Sequence, residues 1–154
     1  MQPASQEPEG RRFRLERRIF FHHCDPAGIV FYPQYLVLLN EAQEAWFSGC
    51  LGVDYAALFT KRLLGVPTVR LECDFLAPSR LGDSLTLELA VERIGTKSLT
   101  IGYEYRGTEA GEVRARFKTV LVFTSLETHR AVPIPDDIQA GLRHWLATRG
   151  DSEE

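Results

Sequence analysis

A chain of 154 residues, 44% hydrophobic and 25% charged, is sized for one domain and can bury a core. No run reaches the roughly 18 apolar residues of a membrane helix, and a net charge of -3 argues against general nucleic-acid affinity. Cys24, Cys50 and Cys73 are widely spaced and odd in number, so neither a disulfide frame nor a structural zinc site is expected; a reducing cytoplasm fits.

Residues 1–10, MQPASQEPEG, lack a basic start and an apolar centre, so they are expected to be a disordered leader rather than a secretory signal. One domain is expected over residues 11–148, with a disordered tail at 149–154. Residues 13–23 alternate, Phe13, Leu15, Ile19 and Phe21 on one face against Arg14, Glu16 and Arg18, which predicts a half-buried strand. Over 33–48 the period becomes helical: Tyr35, Leu38, Leu39, Ala42, Ala45 and Trp46 share a face opposite Asn40, Glu41, Glu44 and Ser48. Leu36 and Val37 make the first half of this helix apolar nearly all round, the mark of a helix wrapped by other structure. Pro33 suits the first helical position, and Gly49 and Gly52 mark the exit.

A loop or short helical piece precedes four strands. Their apolar stripes are Val69-Leu71-Cys73-Phe75-Ala77, Leu85-Leu87-Leu89-Val91, Leu99-Ile101-Tyr103-Tyr105, and Val113-Ala115-Phe117-Thr119-Leu121-Phe123. Turn signals at 78–83, 95–96 and 107–111 are short, so the strands pair antiparallel. A short helix follows Pro135, with Ile138, Leu142 and Trp145 on one side. One curved antiparallel sheet around one helix has open edges, so dimerisation is expected.

The chemistry concentrates in residues 22–36, HHCDPAGIVFYPQYL. Asp25 stands where the first strand ends and Pro33 opens the helix. Tyr32, as N-cap, has no short side-chain oxygen to cap with, so the helix begins with available backbone N–H groups and the positive end of its dipole. Such donors polarise a carbonyl oxygen, and a nearby carboxylate can attack that carbonyl or activate a water. An acid beside a helix start thus fits acyl transfer or hydrolysis, although Asp25-Pro26 is equally the opening of an ordinary turn.

CDPAGIVFYPQY resembles the active-site segment of the 4-hydroxybenzoyl-CoA thioesterase family, and LGVPTV, LGDSLTLE and KSLTIGYEY follow in the order that family shows. The resemblance covers about residues 13–138. It implies a hotdog fold, in the α+β class: an antiparallel β-sheet wrapped around one long central α-helix. It also implies hydrolysis of an acyl-CoA thioester at a site between two subunits of a homodimer or homotetramer, with no cofactor, nucleic acid or membrane involved. Asp25 matches the catalytic carboxylate and Tyr32 the residue whose backbone N–H polarises the thioester carbonyl. His23, Gly28, Phe31, Tyr35 and Asn40 are the candidate substrate contacts, with Leu39 beside Phe31 and Tyr35 in the apolar pocket. Asn40 replaces an acidic residue near the substrate's phenol in the 4-hydroxybenzoyl enzyme, and an amide offers no charged acceptor, so another acyl or aryl group is implied. Pro33 replaces a His of the Tol–Pal-associated relatives. Lys97 and Arg130 match a basic cluster beside the nucleotide, where Gly95 and Thr96 stand in place of arginines.

Other residues have plainer readings. His22 and His23, adjacent on a strand, face opposite ways and make a poor metal pair. Nothing near Cys24 marks an activated thiolate. Glu41 and Glu44 read as a solvated helix face, and Arg114, Arg116 and Lys118 as a strand's solvent face or a phosphate-binding stripe. The rival functions are a non-catalytic acyl-CoA sensor on the same fold, and hydration or dehydration of an acyl-thioester. The latter usually wants a His/acid pair on the long helix, and this helix has no His.

Overall fold

The computed structural model describes residues 11–146. The expected leader and tail, and the last two residues of the expected domain, lie outside the described residues. In chain order the elements are β1 (Arg12–Arg18), a 3-10 turn (Phe21–His23), α1 (Tyr32–Cys50), α2 (Tyr55–Thr60), β2 (Leu64–Gly65), β3 (Thr68–Phe75), β4 (Ser84–Ile94), β5 (Ser98–Gly107), β6 (Val113–Val122), β7 (Thr124–Ser125) and α3 (Asp136–Arg143). Five strands form one sheet in the order β1-β4-β5-β6-β3, every neighbouring pair antiparallel, as the short turns require. The two short strands β2 and β7 pair separately.

β1 stops at Arg18, earlier than the alternation predicts. Arg18 pairs with Ser84, the first residue of β4; Ile19 still bonds the turn before β4 (its N–H to Asp83 C=O, 2.8 Å, and Gly82 N–H to its C=O, 2.9 Å), and β4 extends no further. The chain coils into the 3-10 turn instead. His22 and His23 therefore sit on a turn, their ring centroids 4.0 Å apart, and Phe21 is 81% exposed.

α1 is one residue longer at its start and two at its end than the spacing predicts. Gly49 lies inside it, and Gly52, at φ +70, turns the chain away. Tyr35, Leu38, Leu39, Ala42, Gln43, Trp46 and Phe47 are its buried residues. They join the inner face of the sheet, where Leu85, Leu87, Leu89 and Val91 of β4 and Leu99, Ile101, Tyr103 and Tyr105 of β5 are buried at alternate positions. α3 closes the far end: Ile138 and Leu142 are buried, and Trp145 meets Trp46 edge-on. Among the described residues no helix is long and apolar enough to cross a membrane.

The outer face of the sheet is a lattice of ion pairs. Glu88 is buried there against Arg14 (2.6 Å), Arg106 (3.3 Å) and Arg12 (3.7 Å). Arg116 pairs with Glu104 and Lys118 with Glu92, so this stripe spends its charge on sheet neighbours. β3 behaves differently. It is an edge strand, and its apolar residues Val69, Leu71 and Phe75 are exposed, although Phe75 meets the start of α1 through the Tyr32 and Tyr35 rings.

Candidate active site

Asp25 occupies a small hairpin between the 3-10 turn and α1. Cys24 and Val30 bridge its arms, Asp25 N–H donates to Ile29 C=O (2.9 Å), and Gly28 N–H closes a turn onto Asp25 C=O (2.9 Å). Pro26 presets the second residue of that turn, and Gly28 takes φ +80, a conformation that favours glycine. The Asp25 side chain is half-buried, and its Oδ1 accepts the Ala27 N–H at 2.9 Å. Oδ2 has no hydrogen-bond partner among the described residues. The carboxylate is thus oriented through one oxygen and available through the other.

The hairpin's return arm runs straight into α1. Phe31 N–H donates to His23 C=O (2.9 Å), and Phe31, not Tyr32, is the N-cap. Tyr32 is the first helical residue and Pro33 the second, a one-residue correction to the sequence reading. Phe31 gives no side-chain cap, Pro33 has no N–H, and Gln34 N–H turns back onto Phe31 C=O (2.8 Å). The Tyr32 N–H has no acceptor among the described residues and lies at the positive end of a 19-residue helix.

The neighbouring candidates divide into two groups. Phe31, half-exposed, and Tyr32, 60% exposed, form with Phe75 of β3 a surface of edge-on rings, centroids 5.6 and 6.2 Å apart. Tyr35 and Leu39, by contrast, are sealed in the core of the chain. The Tyr35 hydroxyl donates to Ser79 Oγ (2.9 Å), and burial raises its pKa. Asn40 is exposed further along α1.

His23 is only 5% exposed, and its Nδ1 accepts the Phe20 N–H at 2.9 Å. Burial, and then the adjacent His22, lower its pKa, with Glu41 opposing. The neutral ring is the form this bond needs, because a protonated Nδ1 cannot accept. Burial, and then Asp25, push the Cys24 thiol up, the reverse of what a nucleophilic thiolate needs. Glu41 accepts a bond from Arg17 (2.9 Å), which ties α1 to β1.

Lys97 and Arg130 are exposed at the other end of the sheet. Lys97 C=O accepts the Phe123 N–H and Arg130 C=O accepts the Ser125 N–H, so one cluster of loops carries both. The Asp25 hairpin instead sits where β4 begins: Val30 N–H donates to Ser79 C=O, Leu81 N–H to Gly28 C=O, and Ile29 bridges Arg80. The ten residues of β5 lie between the two ends, roughly 33 Å at 3.3 Å per residue.

The pattern of sheet, buried helix and acid-bearing hairpin can be compared with known proteins. A profile described as the Thioesterase-like superfamily matches residues 20–142. This chain belongs to that superfamily. The thioesterase is 28% identical over 133 residues to a 1,4-dihydroxy-2-naphthoyl-CoA hydrolase of Synechocystis sp., covering 84% of this chain and 94% of the relative. It is 30% identical over 133 residues to a 4-hydroxybenzoyl-CoA thioesterase of Pseudomonas sp., covering 82% and 94%. A crystal structure of a 4-hydroxybenzoyl-CoA thioesterase variant complexed with 4-hydroxybenzoyl-CoA superposes at a TM-score of 0.78 and 27% identity, covering 86% of this chain and 99% of that one. The fold of the thioesterase is the hotdog fold that the sequence resemblance implied.

Sequence reasoning missed the support beneath this hairpin. Ser79 was visible only as part of a turn signal, and Arg114 only as one of three alternating cations. Ser79 is wholly buried, and the Arg114 side chain is 13% exposed. A serine between Pro78 and Arg80 carries no periodic signal, so only the folded chain reveals it.

Proposed function

We propose that this thioesterase hydrolyses an acyl- or aryl-CoA thioester to the free acid and CoA, with Asp25 as nucleophile or general base and the Tyr32 N–H polarising the carbonyl. One observation carries the reading: an oriented carboxylate with an unused oxygen sits on one arm of a short hairpin, and an unused N–H opens the helix into which the other arm runs, both among the described residues. As base, Asp25 takes a proton from water while the water oxygen bonds to the carbonyl carbon. As nucleophile, its own oxygen forms that bond, giving an anhydride that water then cleaves. In both routes the C–S bond breaks and CoA leaves as the thiolate. The oxyanion forms against the Tyr32 N–H, and one such donor is worth about 3 kcal/mol in the transition state. The CoA-thioester substrates named for the relatives support this chemistry, and the departure at Asn40 favours an acyl group other than 4-hydroxybenzoyl.

Two copies complete the site in this reading. Lys97 and Arg130 are too far from Asp25 in one chain to hold the same substrate. β3 offers an unpaired edge with an exposed apolar stripe. Antiparallel pairing of two such edges about a two-fold axis sets the Phe75 end of one β3 against the Thr68 end of the other. Lys97 and Arg130 of the partner subunit then approach the Asp25 end of the first, where they would meet CoA phosphates while the Phe31, Tyr32 and Phe75 rings meet the acyl group.

The test is Asp25→Asn, assayed by thiol release from benzoyl-, 4-hydroxybenzoyl- and hexanoyl-CoA. Asparagine keeps the acceptor for the Ala27 N–H, so the turn stays intact. A loss of about 10³-fold with an unchanged melting temperature is expected. Undiminished turnover removes Asp25 from the reaction. Wild-type binding of these esters without thiol release makes the protein a sensor.

A further inference from the structure

We infer that Ser79, fixed by Arg114, is a positioning residue that sets the Asp25 hairpin and the start of α1 in one rigid relation; the inference rests on the catalytic reading of Asp25 and Tyr32. Ser79 lies in the β3–β4 connection and contacts both halves of the proposed site. Its C=O accepts the Val30 N–H (2.9 Å) on the hairpin's return arm. Its Oγ accepts the Tyr35 O–H (2.9 Å), one helical turn past Tyr32. No segment other than this connection joins the hairpin to the helix by a side-chain bond among the described residues.

The anchor is itself held from below. Arg114 Nη1 donates to Ser79 Oγ (3.2 Å), Pro78 C=O (3.3 Å) and Asp83 Oδ2 (2.8 Å). Asp83 Oδ2 also accepts the Arg80 N–H (2.9 Å). One guanidinium on β6 thus grips both sides of the connection that carries Ser79. Tyr35 is secured from a second direction, because the Tyr105 hydroxyl donates to its C=O (2.8 Å). The Tyr35–Ser79 and Tyr105–Tyr35 bonds are buried and the Arg114 bonds to Ser79 and Asp83 half-buried, where hydrogen bonds are strong and an unpaired partner is costly, while those at Pro78 C=O and Arg80 N–H are exposed.

A carboxylate and an oxyanion donor act together only at a fixed separation, and displacements of about 1 Å cost up to 10²-fold in rate. Ser79→Ala removes the hydroxyl and frees the first turn of α1 from the hairpin. Tyr35→Phe removes the same bond from the helix side. Each variant of the full chain is assayed with the three thioesters named above, at least 20 degrees below its melting temperature, with the folded fraction measured. The expected result is a ten- to hundredfold fall in kcat with KM within twofold. The double variant should lose no more than Ser79→Ala alone, since both remove the Tyr35–Ser79 bond and Ser79→Ala also removes the one from Arg114. Lower melting temperatures with unchanged kcat per folded molecule would make the bond purely structural and overturn the inference. Multiplying losses in the double variant would also overturn it. Asp25→Asn separates the two levels: if that variant keeps full turnover, the catalytic reading fails first. If it is inactive while Ser79→Ala keeps its kcat, only the positioning role fails.

Discussion

The two ends of α1 are built to opposite purposes. Its C-terminal half is finished within the chain: Trp46 and Phe47 are fully buried, with the α3 segment and Trp145 over them. Its N-terminal end leaves Phe31, Tyr32 and Val37 exposed, with the bare apolar edge of β3 beside them. The open N-terminal half is the more apolar of the two, with Leu36 and Val37 filling the gaps where the other half carries Glu41 and Glu44, so composition does not explain the contrast. What differs is the cover: the sheet and α3 close over one end, and nothing among the described residues closes over the other. An unfinished apolar surface next to an oriented carboxylate is what a site shared between two copies needs.

Substitutions at the two ends should therefore fail differently. The largest effect on stability is expected at the closed end, where Trp46→Ala should cost about 3–5 kcal/mol by denaturant titration, because a fully buried indole leaves a cavity. At the open end, Val69→Lys on the exposed β3 edge should leave monomer stability within about 0.5 kcal/mol. Sedimentation should nevertheless show dissociation to monomers, with turnover falling at least tenfold alongside. An active monomer would show that one chain suffices and would dissolve the contrast.

Acid should discriminate between the ends as well. The folded-state pKa of His23 lies below its unfolded value near 6.5, so the folded chain binds fewer protons than the unfolded chain in the interval between them. Its contribution to stability is complete above about pH 6.5 and is lost as the pH falls from there through the folded pKa. The slope for one proton is at most about 1.4 kcal/mol per pH unit. His23→Asn, which offers an uncharged acceptor near the same place, should flatten this slope in unfolding measurements between pH 7 and pH 5. The smallest effect is expected at the far end of the sheet. Lys97→Ala and Arg130→Ala should each raise KM a few-fold with little change in kcat, since an exposed charge contact is worth about 0.2–1 kcal/mol. Raised salt should erase that difference.

Period and punctuation alone determined much of this protein. The stripes Leu85-Leu87-Leu89-Val91 and Leu99-Ile101-Tyr103-Tyr105 specified which face of each strand is buried, and Tyr35, Leu38, Ala42 and Trp46 specified the face of the helix. Asp25 and the helix start were legible because both depend on local chemistry: a Pro–Gly turn, and an entry with neither a capping side chain nor a Pro33 N–H. Tertiary structure decided the rest. It ended β1 at Arg18, because pairing length is set by β4 and not by β1's own alternation. It exposed the β3 stripe, which alternates as cleanly as the buried ones, because burial depends on what lies opposite. It joined Ser79, Arg114 and Tyr35, distant in sequence, through hydrogen bonds that no periodic pattern announces. Local preferences act over a few residues and leave a trace in the order of side chains, whereas contacts across the sheet exist only once the chain has closed on itself.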